Sequence, residues 1–207
     1  MDHLLSLDFF NCNQSLRTLA QKKIQTIGFY FGSFDPFHDG HMEVAEVMLT
    51  FCDVVLITTV KKNKEKPWLS TYEHRTWMIS NYLRACNNKP IYLIRDNLIS
   101  AINKLKPSFH LFGVIGSDVY LKFIEKNRIP KMKVHEWFII PRVDYSIISN
   151  DDLQCWEKKT IVLSSDLFRK QGFSSTQIRR AFKTGNLNEI PLLSENIKYI
   201  QEHRLYT

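Results

Sequence analysis

The segment GSFDPFHDGH, Gly32 to His41, fixes a strand-to-helix turn, and few folds can carry it. Ahead of it, Ile24 to Phe31 is rich in apolar and β-branched residues and reads as a buried strand. Behind it, MEVAEVMLTF sets Val44, Val47, Met48 and Phe51 at helical spacing. Two glycines, one proline and two histidines therefore sit at the junction. Such a turn aims backbone N–H groups and the positive end of a helix at one point, which suits a phosphate. His38 and His41 at that point can donate hydrogen bonds to it. A metal pair is the competing reading, but no nearby Cys, His or carboxylate completes a ligand set.

Strand and helix patterns alternate from Ile24 onward. The remaining expected strands are Asp53 to Val60, Ile91 to Arg95, Phe109 to Ile115, Val134 to Ile140 and a short Ile161 to Leu163. Between them, Ser70-Thr-Tyr-Glu73 reads as a capping box that opens a helix, with Ser70 as the cap. Further helices are expected over Asn97 to Lys106, Val119 to Lys126, Ser175 to Thr184 (ended by Gly185) and Ser194 to Glu202. The pattern predicts an α/β protein with a Rossmann-like, doubly wound parallel sheet and helices on both faces. Ligands bind such sheets beyond the strand C-termini, where the strand order reverses. The first strand ends in GSFDPFHDGH and the fourth in Gly116-Ser117-Asp118, so these two strands are expected to be neighbours at one crevice. Neither GxGxxG nor GxxxxGK[ST] follows a strand.

A chain of 207 residues fits one domain, here 24–207, preceded by an appendage over 1–23 in which Ser15 could cap a short helix. The net charge of +7 calls for an anionic partner. Several phosphates in a small site account for it without nucleic acid. The run of Lys61, Lys62, Lys64 and Lys66 reads equally as a solvated loop or a phosphate-facing one. Cys12, Cys52, Cys86 and Cys155 form no CxxC pair, which points to reduced thiols in the cytoplasm. No stretch is long and apolar enough for a membrane helix, and MDHLLSLDFF lacks the basic start of a signal peptide. The oligomeric state stays open, a homo-oligomer included.

GSFDPFHDGH, together with FSSTQIRRAF at Phe173 to Phe182, resembles the paired signature of the HxGH nucleotidyltransferases, which act on small phosphorylated substrates. The resemblance implies that ATP is attacked at its α-phosphorus by the phosphate of an acceptor. His38 and His41 would be the catalytic pair. Gly32, Ser33, Phe34 and Gly40 would hold phosphate oxygens, and Ser174, Ser175, Thr176 and Arg179 would grip the β- and γ-phosphates. Gly116 and Asp118 match the family's GxD beside the adenosine ribose, though Asp118 could simply cap a helix. Mg²⁺ would arrive with the triphosphate rather than in a protein cage. Asp35 reads as a turn former.

The ending SENIKYIQEHRLYT resembles that of nicotinate-nucleotide adenylyltransferases, as does GSDVYLKF. That likeness implies nicotinate mononucleotide as acceptor, with nicotinamide mononucleotide as an alternative, and Arg75, Trp137 and Arg142 as candidates to meet it, although Arg75 could pair structurally and Trp137 could pack in the core. The family's Trp-Lys pair after GxD and its Arg-Pro-Gly after the fifth strand are missing here. KEKPWLSTYEHR is similar instead to pantetheine-phosphate adenylyltransferases, which makes phosphopantetheine the rival acceptor. A nucleotide sensor without turnover is the non-enzyme alternative.

Overall fold

Side chains of a strand alternate between its two faces, so an unbroken apolar strand needs cover on both. The computed structural model describes residues 9–10, 23–86, 89–95, 98–126, 133–141, 159–169, 172 and 174–207. Its elements run β1 (Phe9–Phe10), β2 (Thr26–Gly32), α1 (Asp39–Met48), β3 (Val54–Thr59), α2 (Tyr72–Ala85), β4 (Ile91–Ile94), α3 (Leu98–Leu105) and β5 (His110–Gly116). They continue with α4 (Ser117–Glu125), β6 (Glu136–Ile140), β7 (Thr160–Val162), a 3₁₀ turn at Ser165–Leu167, α5 (Ser175–Thr184) and α6 (Ser194–Glu202).

The sheet order is β1-β4-β3-β2-β5-β6-β7. From β4 across to β7 all pairs are parallel, and β1 joins β4 antiparallel. Central β2 pairs with β3 on one side (Tyr30 beside Ile57) and with β5 on the other (Tyr30 beside Val114). The chain winds outward in one direction through β3 and β4, then crosses back to β5, so the order reverses between β2 and β5. That is the neighbour relation expected for the two motif-bearing strands.

The alternation within β3 shows why the run is wholly apolar. Val54 and Leu56 pack with Ile102, Leu105 and Tyr120 on one face, while Val55 and Ile57 pack with Met48, Ile79 and Leu83 on the other. Gly113 in β5 leaves room for the Trp137 ring. A Cβ there would stand 2.4 Å from Trp137 Cζ3. Gly185 ends α5 at φ 70°, a left-handed cap that glycine adopts without a steric penalty. Burial, then the Asp53 charge, pushes the Cys52 thiol up to about 12, so this cysteine stays an inert core group.

Three expectations are corrected. The cap of α2 is Thr71, whose side chain accepts from the His74 N–H, and Ser70 is engaged elsewhere. Helix α4 starts at Ser117 directly after β5, with Gly116 as its N-cap, so Asp118 lies inside the first turn rather than before it. Two residues of the supposed appendage, Phe9–Phe10, form an edge strand of the sheet. The expected helix from Ser15, the cysteines Cys12 and Cys155, and Arg142 lie outside the described residues. Among the described residues no helix is long and apolar enough to cross a membrane.

Candidate nucleotide-binding site

His38 is the N-cap of α1, and the two histidines cap the helix reciprocally. The Gly40 N–H donates to His38 Nδ1 at 3.2 Å, and the His38 N–H donates to His41 Nδ1 at 3.3 Å. An Nδ1 that accepts a hydrogen bond places the proton of a neutral ring on Nε2. Both imidazoles are thereby fixed as Nε2–H donors, with ring centroids 3.8 Å apart, and both are buried. Phe34 and Phe37 pack against the His41 ring at 5.0 and 5.3 Å. Phe34 takes φ 48°, a left-handed conformation a residue with a side chain holds only under constraint from its surroundings.

The amides of this turn need a correction. The Asp39 N–H bonds the Pro191 carbonyl at 3.0 Å, and the His41 N–H bonds the His38 carbonyl at 2.9 Å. With the His38 and Gly40 amides on the ring nitrogens, residues 38–41 keep their N–H groups within the protein. What this turn presents is the helix dipole and two imidazole donors.

Ser174 caps α5 and exchanges bonds with Gln177. The Ser175 and Thr176 N–H groups belong to the first turn, which has no partners inside a helix. From the same helix, Ser175 Oγ donates to the Pro36 carbonyl at 3.0 Å. One guanidinium nitrogen of Arg179 donates to the Asp35 carbonyl at 2.7 Å and the other to Thr176 Oγ1 at 3.0 Å. The two motifs, well over a hundred residues apart in sequence, are bonded to each other. Gly32 ends β2, Ser33 and Phe34 follow it, and Gly116 and Asp118 open α4 beside it, so all these candidates meet at the reversal point.

Two acceptor candidates are placed in the interior instead. Arg75 is 1 % exposed. Its guanidinium donates to the carbonyls of Ser70 (3.0 Å), Ser33 (2.7 Å) and Val60 (2.7 Å) and to Thr59 Oγ1 (2.5 Å). It is a brace that ties the loop after β2 to the loop after β3. Trp137 is 2 % exposed, lies across Gly113 and meets Phe31 edge-on at 6.0 Å.

Other residues enter the site without a motif to announce them. Lys66 is half-buried, and its burial, with Lys122 and then Arg179 near it, pulls its ammonium below the usual range while Asp118 and Asp35 act the other way. The end of the lysine run is therefore near enough to Asp118, Arg179 and Asp35 to feel their charges, whereas Lys61, Lys62 and Lys64 are exposed. A cavity of about 720 Å³ flanks the crevice, lined in part by Lys62, Asn63, Lys66, Ser70 and Tyr72. The Asp35 carboxylate accepts from the Ser70 N–H at 3.2 Å, from the Ser70 hydroxyl and from the Tyr206 hydroxyl at 2.6 Å. Asp35 lies in the turn expected of it, and its carboxylate is an anchor as well. From α6, Tyr199 stacks on Trp77 at 3.6 Å and its hydroxyl meets His74 Nδ1 at 2.9 Å.

Residues 29–181 match the cytidylyltransferase-like family. The chain belongs to that family. Among curated relatives, a Christiangramia forsetii protein named "Probable nicotinate-nucleotide adenylyltransferase" is 28% identical over 198 residues, covering 87% of this chain and 97% of the relative. A phosphopantetheine adenylyltransferase of Desulforamulus reducens is 25% identical over 133 residues, covering 60% of this chain and 78% of the relative. Among solved structures, Plasmodium falciparum nicotinic acid mononucleotide adenylyltransferase complexed with NaAD aligns with a TM-score of 0.66 at 21% identity, over 88% of this chain and 97% of that one. At that identity the structural match speaks for the fold, and it agrees with the Rossmann-like sheet of this member of the cytidylyltransferase-like family.

Proposed function

We propose that the protein is an adenylyltransferase that joins ATP and nicotinate mononucleotide into nicotinate adenine dinucleotide and pyrophosphate, a step of NAD biosynthesis. The observation that carries this reading is the bonding of Ser175 and Arg179 onto the Asp35–Pro36 carbonyls, which sets two helix N-termini and two imidazoles around one crevice. A phosphate oxygen of the acceptor attacks the α-phosphorus, a P–O bond forms, and the bond to the β-phosphate oxygen breaks with its electrons leaving on pyrophosphate. The attacking oxygen is already ionised, so the task is positioning and charge stabilisation, not proton removal. His38 and His41 donate from Nε2 to oxygens that gain charge. Ser33 and Phe34 offer backbone N–H groups, and Ser174, Ser175, Thr176 and Arg179 hold the β- and γ-phosphates. Gly116 and Asp118 lie against the ribose. Lys66 and Lys122 add positive charge for the leaving pyrophosphate. Mg²⁺ belongs to the MgATP substrate. The full-length coverage of relatives named for nicotinate mononucleotide supports that acceptor. The cytoplasm fits the reduced, buried Cys52.

Phosphopantetheine is the second reading, because Lys66, from the loop that resembles its adenylyltransferases, lies near enough to Asp118 and Arg179 to feel their charges. The test is pyrophosphate release from MgATP with nicotinate mononucleotide, nicotinamide mononucleotide and phosphopantetheine, compared as kcat/KM. The acid presents only acceptors where the amide also presents a donor, so the site should separate them. A higher value for nicotinate mononucleotide is expected. A higher value for phosphopantetheine would overturn the assignment, and ATP binding without pyrophosphate release from any acceptor would identify a sensor.

A further inference from the structure

Asp35 is 1 % exposed, its carboxylate acts electrostatically on Arg75 and on Lys66, and its main-chain carbonyl holds Arg179, so it lies among cations of which the function above assigns Lys66 and Arg179 to the triphosphate. A carboxylate there competes with the triphosphate for those cations. Yet Arg179 bonds the main-chain carbonyl of Asp35. The carboxylate is occupied by three other donors: the Ser70 N–H, the Ser70 hydroxyl and the Tyr206 hydroxyl. Delivering Tyr206 takes unusual backbone. Arg204 and Tyr206 lie at φ 49° and 66°, left-handed conformations that a residue with a side chain adopts at a cost. The Tyr206 ring also contacts Phe182 of α5, at 6.2 Å. Burial and the Asp35 carboxylate hold its phenol above the usual range, so it stays a protonated donor.

We propose that Tyr206 is a positioning residue for ATP: its hydroxyl occupies the Asp35 carboxylate and so keeps Arg179 available to the triphosphate. The inference rests on the adenylyltransferase reading. Without that hydroxyl, Asp35 Oδ1 loses one of its donors and turns toward Arg179, whose guanidinium already bonds the main-chain carbonyl of the same residue. The loss falls on ATP and not on the acceptor, because the cations for which a released Asp35 carboxylate competes are those assigned to the triphosphate.

Tyr206→Phe removes the hydroxyl and keeps the ring against Phe182. The readouts are the Kd of a non-hydrolysable α,β-methylene ATP, both KM values, kcat and Tm. Expected is a roughly three- to tenfold weaker hold on the analogue and a KM for ATP raised by the same factor, the scale of one net hydrogen bond. The KM for the acceptor should move less than twofold. Ser70→Ala, which removes a second donor from the same oxygen, should give the same selective pattern. In a double-mutant cycle, Tyr206→Phe should add little to Arg179→Lys, since both act on one interaction. Unchanged analogue binding in both single variants overturns the proposal, as do additive losses in the cycle or equal rises in both KM values. A wild-type protein that binds no analogue and releases no pyrophosphate overturns the adenylyltransferase reading as well. Normal wild-type turnover with silent variants removes only the role of Tyr206.

Discussion

Arg75→Met keeps the apolar stem of a buried side chain and deletes its guanidinium. Three backbone carbonyls, of Ser70, Ser33 and Val60, then lose donors that stand at 3.0, 2.7 and 2.7 Å, and Thr59 loses one at 2.5 Å. Each such bond from a charged donor contributes about 1.5–3 kcal/mol taken singly. The four cannot simply be summed, because they share one charge and the exposed end of the loop at Val60 can recover water. Each buried acceptor left without a donor costs about 1–3 kcal/mol, so with water recovered at the exposed end a total of about 3–5 kcal/mol is the expectation here. Against a total stability of about 5–15 kcal/mol it is a large fraction. Urea unfolding measures it, with Arg75→Lys falling between the wild type and Met because one ammonium cannot reach four acceptors on three segments. The KM values for ATP and acceptor, taken on the folded fraction, should shift together, since the brace holds Ser33 on one side and Ser70 on the other. A stability loss below about 1 kcal/mol, paired with a tenfold rise in acceptor KM alone, would refute the brace and return Arg75 to the substrate.

His38→Ala and His41→Ala should each lower kcat by roughly 10²–10³, the effect of losing one pre-organised donor to developing charge, with steady-state pyrophosphate release as the assay; a folded variant turning over normally would exclude the imidazole from the chemistry. Gly113→Ala should destabilise by about 1–3 kcal/mol in urea titration, since its Cβ would meet Trp137 Cζ3 at 2.4 Å and the ring is buried in the core. Burial opposes it, but bonds from the Gln25 and Thr26 N–H groups and the Thr26 hydroxyl hold the Asp53 carboxyl below its ordinary value. That stabilisation is present above the unfolded-state value and lost as pH falls through the folded one, so the Tm gap between wild type and Asp53→Asn should narrow below about pH 4 and stay constant near neutrality.

The parts of the site that were legible in the sequence are those in which chemistry and spacing coincide. His38 and His41 share one turn, and Ser174 to Arg179 share another, so a strand-helix pattern was enough to bring them to the same end of the sheet. Arg75 and Asp35 were harder to read for a definite reason. Their partners are mostly backbone carbonyls and hydroxyls 15 or more residues away, and a carbonyl has no residue type. The misplaced cap of α2 has a similar origin. Ser70 and Thr71 both suit an N-cap by local rules, and the distant claim of Asp35 on Ser70 leaves Thr71 to do it. A two-residue strand such as β1 carries too little pattern to be seen without its partner β4. Trp137 had two readings, and the absence of a side chain at Gly113, on a neighbouring strand, decides between them.

The contacts of Asp35 also set an order in time. Its partners Ser70, Arg179 and Tyr206 stand 35, 144 and 171 positions along the chain. Closing the longest of these loops costs the most entropy, and contacts of that span form after local pairing has shortened the path between their ends. During refolding, the parallel strands and their crossover helices would therefore gather before the clasp between Asp35 and Tyr206 shuts. Affinity for ATP should return later than the circular dichroism of the backbone, leaving an interval in which the protein has its sheet but not yet its grip on a nucleotide.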